Sequence, residues 1–381
     1  DTVHSGMMLA LLIALCGSSV LAQASAKPAP TLAKIDGEQV SFSYFTHFAA
    51  STTGALAVAQ QQDGKVLFFS PNGASIGSFG RKGEGPGEFR ALNELGWVGD
   101  TLWVLDNRLR RITHLSSRGV LIRSSPVPTV LQPGDGLRTI GDLRAPRLLA
   151  VFPDGTFLMR AVRIVAAPAG AGPAVGGVRS VLLKVGLTGD VQRLLAEEPE
   201  NPCRLRTQTA EMIIPLCPEP IVAVAPNGSR IAFLTMVVDG ANSSYSVAVF
   251  GVSGETVFAR RFPATVESVP QERRDTILAE MRSGEAVFRQ MLGTIRIAKH
   301  FPPVTRLQVS ANGDVWIGLP AAIGKQARAW HMIDNAGRDR GKLWMPRVAA
   351  PFAPEPRGMW TTDVTTDGLE SILLYAKPGG K

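Results

Sequence analysis

Residues 80–124 of this 381-residue chain read GRKGEGPGEFRALNELGWVGDTLWVLDNRLRRITHLSSRGVLIRS. A glycine-rich segment ending in Gly-Glu-Phe precedes an apolar run, a Gly-Asp turn and a second apolar run that ends in Asp-Asn. Two further runs flank an Arg-Gly turn. Short apolar runs separated by glycine-containing turns are typical of antiparallel strands joined by tight hairpins. The stretch therefore predicts a small antiparallel sheet.

The same pattern recurs on both sides of this stretch. Six apolar runs each follow a turn glycine, and these glycines are Gly54, Gly99, Gly155, Gly228, Gly313 and Gly358. They lie 45, 56, 73, 85 and 45 residues apart, and the shortest spacing falls in the range of one propeller blade. Because one such unit cannot bury both of its faces, the units must stack around an axis. We expect an all-β fold, a six-bladed β-propeller of four-stranded blades.

Insertions explain the longer spacings. They are an Ala/Gly/Pro loop at 164–178, a segment with two cysteines at 197–220 and a helical region within 263–300. Two short amphipathic patterns occupy the helical region, and we expect this insertion (266–297) to lie before the fifth blade. It could pack over a propeller edge or end, form a lid over the axial mouth, or contact a membrane surface.

The ring must also be closed. The segment EQVSFSYF, in region 38–48, is an extra early strand that we expect to complete the last blade beside MWTTDV and ESILLYAK. One propeller domain over 36–378 then accounts for the repeats. Residues 1–24 are expected to be a secretory signal peptide, and 25–35 a short tether.

The signal peptide is indicated by residues 7–22, MMLALLIALCGSSVLA, an apolar run that ends in small residues. Lipidation of Cys16 and an uncleaved anchor are the alternatives. No other apolar stretch of about 20 residues occurs, so we expect no membrane span in the mature chain. Export would bring the protein to a periplasmic or extracellular compartment.

Two cysteines remain after removal of the signal, Cys203 and Cys217. In an oxidising compartment they would close a loop, which stabilises a fold by roughly 3 kcal/mol. The alternative is two separate buried thiols.

Residues 80–124 resemble an NHL-type repeat. The chain is also similar to bacterial exported six-bladed β-propeller proteins, many of which carry the Gly-Glu-Gly-Pro-Gly-Glu-Phe segment and a helical insertion before a late blade. The resemblance implies a six-bladed propeller over most of 36–378. It does not imply one activity, because propellers include both enzymes and binding proteins.

Loops of a propeller converge at one end of the ring, so we expect a ligand at the axial mouth. The polar residues that end the predicted inner strands are Gln60, Asp106, Asn107, Arg160, Thr235 and Asp363, with Glu38 near the predicted closing strand. Propeller lactonases of the gluconolactonase and regucalcin type hold a divalent metal with acidic and Asn side chains at the axis. Here Asp106 and Asp363 could hold Ca²⁺, although Arg160 would repel a cation. Alternatively, Asp106 and Asn107 cap a strand end or hydrogen-bond a turn.

Other motifs are weaker. His47, His114, His300 and His331 are scattered singly, so we expect no histidine metal site. The segment GRKGEGPGEF at 80–89 could present backbone N–H groups and two cations to an anion. Its alternative role is structural, with glycines in tight turns and Phe89 packed between blades.

The chain has a formal net charge of +8, and only 7% of its residues are aromatic. Nucleic-acid binding would need a basic stripe with stacking aromatics, so we expect no nucleic-acid partner. An unknown protein, a glycan or a small molecule remains as the partner. We predict a monomeric exported binding module without a cofactor. The alternative is a lactonase-like hydrolase or lyase that depends on a divalent metal.

Overall fold

The computed structural model describes residues 29–40, 42, 45–134, 137, 140–164, 178–206, 211–283, 295–320, 327–346, 352–364 and 370–378. The predicted signal peptide at 1–24 lies outside these residues. So do most of the predicted loop at 164–178 and the second helical pattern of the predicted helical insertion.

Six sheets, built mainly from antiparallel strands, form the six blades of a β-propeller. The first strand of the chain, β1 (Thr31–Ile35), belongs to the last blade. Blade 1 comprises β2 (Phe45–Ala50), β3 (Leu56–Gln60), β4 (Lys65–Phe69) and β5 (Ser75–Phe79). Blade 2 comprises β6 (Leu92–Val98), β7 (Thr101–Asp106), β8 (Arg111–Ser116) and β9 (Leu121–Pro126).

Blade 3 has an additional short strand at its outer edge. Its strands are the added β10 (Gln132–Pro133), then β11 (Asp142–Val151), β12 (Phe157–Ile164), β13 (Val178–Val185) and β14 (Asp190–Glu197). A small hairpin follows, made of β15 (Arg204–Arg206) and β16 (Glu211–Ile213). Blade 4 comprises β17 (Ile221–Val224), β18 (Ile231–Val237), β19 (Ser244–Phe250) and β20 (Thr256–Pro263).

The helix α1 (Gln271–Ser283) lies between blades 4 and 5. Blade 5 comprises β21 (Arg306–Val309), β22 (Val315–Gly318), β23 (Ala327–Ile333) and β24 (Asp339–Pro346). Blade 6 comprises β25 (Phe352–Glu355), β26 (Gly358–Val364), β27 (Glu370–Ala376) and β1. The predicted all-β, six-bladed propeller with a helical insertion before the fifth blade is confirmed.

The ring is closed by β1, which pairs with β27 at the outer edge of blade 6. The prediction that EQVSFSYF at 38–48 completes the last blade is wrong, because Phe45–Ala50 is the first strand of blade 1. The closing strand lies instead within the segment that the sequence predicts to be a tether. The physical reason is that β25, β26 and β27 already fill the three other positions of blade 6, so that only the outermost place is free.

The first strand of every blade lies at the propeller axis. β2 packs against β6 and β25, and β21 packs against β17 and β25. Residues of all six first strands line one central cavity. The strands that follow the turn glycines are therefore second strands, and the prediction that they are the inner strands is wrong by one position.

Antiparallel pairing fixes which residues share an end of the ring. Each first strand begins where the second strand of its blade ends. We call this the upper end. The connections between blades reach it as well, so the β15–β16 hairpin and α1 belong to connections at the upper end.

A disulfide joins Cys203 and Cys217, as predicted. The segment that it closes packs against α1 in a small separate core. Its apolar members are Met212, Ile214 and Leu216 on one side, Ile277, Leu278 and Met281 on the helix, and Ile295 and Ile297 beyond it. The apolar residues of α1 therefore pack against this segment. A role of the helix as a lid over the axial mouth stays a prediction. Within the described residues, no helix is long and apolar enough to span a membrane.

Candidate functional site

The six first strands enclose a cavity of about 150 Å³ at the axis. Its polar lining side chains include His47 on β2, Glu94 on β6 and Gln308 on β21. Apolar residues make up most of the remaining lining, among them Leu95, Leu149, Val224 and Val309. A few polar groups in a mostly apolar cavity are the usual composition of a small-molecule site.

Irregularities in three first strands precede the polar residues near the upper end. The pairing of β2 with β3 shifts in register just before His47, and that of β6 with β7 shifts just before Glu94. A shift in the pairing of β11 with β12 likewise precedes Arg147. Bulges re-aim side chains and are common beside functional sites. Blades 1, 2 and 3 thus each carry a polar residue at a similar point of the first strand.

Glu94 and Arg147 form an ion pair between blades 2 and 3. The Glu94 side chain is only 18% exposed, whereas that of Arg147 is 62% exposed. Burial raises the pKa of Glu94, and the charge and hydrogen bond of Arg147 act against that rise. Arg147 therefore compensates a carboxylate that the ring has largely removed from water.

His47 has a polar atom without a partner. Its Nδ1 is buried and makes no hydrogen bond to any residue that the structure describes. Burial and, secondly, the positive charge of Arg147 lower the pKa of His47. A neutral imidazole with a free nitrogen can donate to or accept from a ligand. An unmade hydrogen bond at a buried atom costs free energy, so a partner from outside would be stabilising.

Trp103 lies across the axis at the opposite, lower end of the cavity. Its indole Nε1 donates to the carbonyl oxygen of Pro226 in blade 4 at 3.0 Å. The indole of Trp103 passes over Gly96, where a Cβ would be 2.7 Å from that indole and 2.9 Å from Pro226. Glycine at position 96 is therefore needed for this indole to reach from blade 2 to Pro226 in blade 4.

A larger, open cleft of about 610 Å³ lies between blades 3 and 4. Apolar residues such as Leu195, Phe233 and Phe250 dominate its lining. Its two arginines already have partners, since Arg261 donates to Ser244 and Arg260 donates to two backbone carbonyls. Both arginines of the cleft are thus already engaged, and its other polar lining residues are Glu197, Thr235 and Ser246.

The sequence predicts Asp106 and Asn107 at the mouth. Asp106 ends β7, the second strand of blade 2, and Asn107 follows it in the turn at the upper end. The Asp106 side chain is fully buried. Its Oδ2 accepts the backbone N–H of Arg90 at 2.7 Å, and its Oδ1 accepts those of Arg108 and Leu109 at 3.0 Å each. Asn107 is exposed. Asp106 therefore organises a turn, which is the alternative role expected for it.

The other predicted residues are also spread over second strands. Gln60 ends β3, is buried, and its Nε2 has no hydrogen-bond partner within the described residues. Arg160, on β12 opposite Arg147, forms an ion pair with Glu198. Asp363 lies on β26, and its charge adds to burial in raising the pKa of Tyr375 to about 12. None of these five residues lines the axial cavity, so their role in binding stays a prediction.

Two of the histidines have structural environments in third strands. His331 on β23 accepts from the Tyr245 hydroxyl at Nδ1 (2.7 Å) and donates from Nε2 to Asp339 (2.8 Å). This chain of bonds joins blades 4 and 5. His114 on β8 is buried, and burial followed by the charge of Arg123 lowers its pKa to about 4. Of the four histidines among the described residues, His47 is the one on a first strand.

A metal site is the remaining chemical possibility. Across the described residues, no group of three or more His, Cys, Asp and Glu side chains is placed to hold a metal ion. Asp106, one of the two predicted Ca²⁺ ligands, already accepts three N–H groups. The Ca²⁺ site of Asp106 and Asp363 stays a prediction.

No protein-family model and no curated protein matches this chain. Solved structures with a similar fold include a Bacteroides fragilis protein that is described as an exported protein. It has 10% identity, covers 91% of this chain and 94% of its own, and has a TM-score of 0.42. A member of the DUF4221 family from Bacteroides vulgatus has 10% identity over 92% and 95% of the two chains, with a TM-score of 0.44. Regucalcin, a calcium-binding protein from Agrobacterium tumefaciens, has 10% identity over 93% and 97%, with a TM-score of 0.36. Similarity at this level identifies neither a ligand nor an activity.

Sequence reasoning missed the polar residues of the axis, namely His47, Glu94, Arg147 and Gln308. Each lies five to eight residues before a turn glycine rather than after it. In an antiparallel sheet, the strand before a turn is as well defined as the strand after it. A search of both strands around each turn glycine would have found these four residues.

Proposed function

We propose that this protein is an exported binding module that holds a small, uncharged polar molecule in the axial cavity. The observation that carries this proposal is the buried Nδ1 of His47, which has no partner within the described residues and belongs to a side chain that lines the cavity. Glu94 and Gln308 line the same cavity and supply further hydrogen-bonding atoms.

The charges around the cavity favour a neutral ligand. Arg147 balances the charge of Glu94, and a lowered pKa keeps His47 neutral at pH 7. An ionic ligand would have to compete with an ion pair that is already formed. A volume of about 150 Å³ is smaller than the cavities of drug-sized ligands. These features fit a small alcohol, amide or sugar-like compound with an apolar part.

Export is supported by two features. Residues 7–22 have the pattern of a signal peptide, and the Cys203–Cys217 disulfide is typical of proteins in oxidising compartments. The alternative function, a hydrolase or lyase that depends on a divalent metal at Asp106 and Asp363, is tested by elemental analysis of the purified protein. A stoichiometric metal that is lost in Asp106→Asn would support the enzyme over the binding module.

Thermal unfolding with a panel of small compounds tests the binding proposal. The panel contains neutral alcohols, amides and monosaccharides, with carboxylates and amines of similar size for comparison. A ligand at 100 times its Kd stabilises the folded state by about 2.7 kcal/mol. We expect at least one neutral compound to raise the Tm of the wild-type protein, and His47→Phe to abolish that shift.

His114→Phe is the matched control, because it makes the same change at a buried histidine outside the cavity. We expect this variant to keep the shift. If only charged compounds stabilise the protein, or if His47→Phe and His114→Phe respond alike, a neutral ligand at the axis is the wrong assignment.

A further inference from the structure

A third cavity, of about 500 Å³, lies at the upper end between blades 1 and 2. Its lining residues are Lys82, Gly83, Glu84, Arg90 and Arg108, and we call it the cationic groove. It shares no lining residue with the axial cavity. Three cations and one carboxylate give the groove a formal charge of +2.

Two of these cations are uncompensated. Arg90 forms an ion pair with Glu84. Lys82 and Arg108, by contrast, have no ion-pair partner in the part of the chain that the structure describes, and both are exposed. Like charges that converge on one concave surface repel each other and raise the local concentration of anions. The groove thus lacks the negative charge that would balance it.

Asp106 fixes both arginines of the groove. Its buried carboxylate accepts the backbone N–H of Arg90 through one oxygen and that of Arg108 through the other. Arg90 belongs to the connection between blades, whereas Arg108 belongs to the turn after β7. One carboxylate therefore holds the two walls of the groove at a set separation.

The glycine-rich wall is held in a similar way. Glu88 accepts the N–H of Gly85 at 2.8 Å and the Nε of Arg81 at 2.7 Å. Arg111 donates to the carbonyl oxygens of Gly85 (3.2 Å) and Glu88 (2.6 Å). At Gly83 a Cβ would lie 2.1 Å from the Glu88 carboxylate, so a side chain at this position would displace that carboxylate from Gly85 and Arg81. A wall that is already ordered loses little conformational entropy on binding.

We propose that the cationic groove binds the phosphate group of a phosphomonoester. A phosphomonoester carries between 1.5 and 2 negative charges at pH 7, which matches the +2 charge of the groove. Arginine presents a planar set of donors that suits phosphate oxygens, and lysine adds a point charge. A carboxylate would compensate only half of the positive charge. The phosphate could belong to a soluble compound or to a lipid headgroup. This site is additional to the axial one and does not depend on it.

Calorimetric titration of the full chain, with its disulfide intact, tests the proposal. The probes are inorganic phosphate, phenyl phosphate and acetate at constant ionic strength. We expect both phosphates to bind, acetate to bind at least about tenfold more weakly, and Arg108→Gln or Lys82→Gln to weaken phosphate binding about tenfold. Binding should weaken with added NaCl, because salt screens exposed charges. It should also weaken below about pH 6, where a phosphomonoester takes up a proton.

Arg118→Gln is the matched control. Arg118 is an exposed arginine of the same blade, in the turn between β8 and β9 at the lower end. We expect it to leave phosphate binding unchanged. Absence of phosphate binding, equal binding of acetate, or equal losses in Arg108→Gln and Arg118→Gln would each overturn the proposal.

Vesicles identify the source of the phosphate. Phosphatidylcholine vesicles with and without phosphatidic acid are sedimented with the protein. Binding that requires phosphatidic acid, that Arg108→Gln removes and that phenyl phosphate displaces would assign a lipid headgroup. Binding of phenyl phosphate without any binding to vesicles would assign a soluble phosphomonoester.

Discussion

The cationic groove and the axial cavity are built in opposite ways. The groove lies at the upper end of the propeller, whereas the cavity extends along the axis to Trp103 at the lower end. The groove comes from one continuous part of the chain, since its residues and those that fix them all fall within residues 81–111. The cavity needs all six blades, and its lining extends from His47 to Pro354. Local hydrogen bonds hold the groove in shape, whereas closure of the ring holds the cavity.

Their electrostatics differ in the same way. The groove is exposed and carries uncompensated positive charge. Around the cavity, Glu94 is largely buried and is paired with Arg147. Charge exposed to water attracts ligands over a distance but is screened by salt, whereas buried polar groups select by hydrogen bonding. We therefore expect the two sites to respond independently to substitutions that touch only one of them.

The largest effect is expected for Asp106→Asn. The amide cannot accept N–H bonds at both of its positions, so at least one of the backbone donors of Arg90, Arg108 and Leu109 loses its partner. Loss of such bonds at a buried group should lower the free energy of unfolding by about 2–4 kcal/mol. Urea unfolding measures this change, and phosphate titration of the folded variant should show weaker binding. The axial response to neutral compounds should be unchanged.

Asp100→Asn is the control for this substitution. Asp100 is an exposed acid of the same blade, in the turn between β6 and β7, and its replacement should alter stability by less than about 0.5 kcal/mol. A loss of both sites in Asp106→Asn while the protein remains folded would mean that groove and cavity are coupled.

This contrast also explains what the sequence could predict. The groove residues lie close together in the chain, and the glycine-rich segment 80–89 already indicated both of its possible roles. The structure accounts for the packing role, because Phe89 is fully buried among residues of blades 1 and 2. The blade repeat was equally readable, since turn glycines such as Gly99 mark it directly.

The cavity could not be predicted with the same ease. Its polar lining residues are spread over blades 1, 2 and 5, and the ion-pair partner of Glu94 lies on blade 3. No local pattern relates His47 to Gln308. The repeat also has no marked beginning. Assigning the strand after each glycine as the innermost one therefore selected residues such as Gln60 and Asp106, which end second strands. Which strand faces the axis depends on contacts between blades, and these are absent from any single repeat.

A smaller effect is expected for Arg147→Met, a substitution that tests the cavity rather than the groove. Removal of the guanidinium leaves the Glu94 carboxylate 18% exposed and without its ion pair. Breaking a buried ion pair is strongly destabilising, but Arg147 itself is 62% exposed, so we expect a loss of about 1–2 kcal/mol in the free energy of unfolding at pH 7.

Arg144→Met is a control on the same strand. Arg144 pairs with Asp142, and both side chains are more than half exposed. Exposed pairs contribute little, so this variant should change the free energy of unfolding by less than about 0.5 kcal/mol. Equal losses of stability in Arg147→Met and Arg144→Met would show that the Glu94–Arg147 ion pair contributes no more than an exposed pair. Phosphate binding should be the same in both variants and in the wild-type protein.

The smallest expected effect is a difference in pH dependence between two residues of the cavity. The folded protein lowers the pKa of His47, so the unfolded chain binds more protons below about pH 6.5. The stability contributed by His47 is therefore lost as the pH falls below that value. The pKa of Glu94 is raised, mainly by burial, so its contribution has the opposite sign and is lost as the pH rises through the raised value. Urea midpoints between pH 4 and 7 should accordingly fall less towards acid in His47→Phe, and more in Glu94→Gln, than in the wild-type protein. Deviations from the wild-type slope in the same direction in both variants would contradict the burial of these groups at the axis.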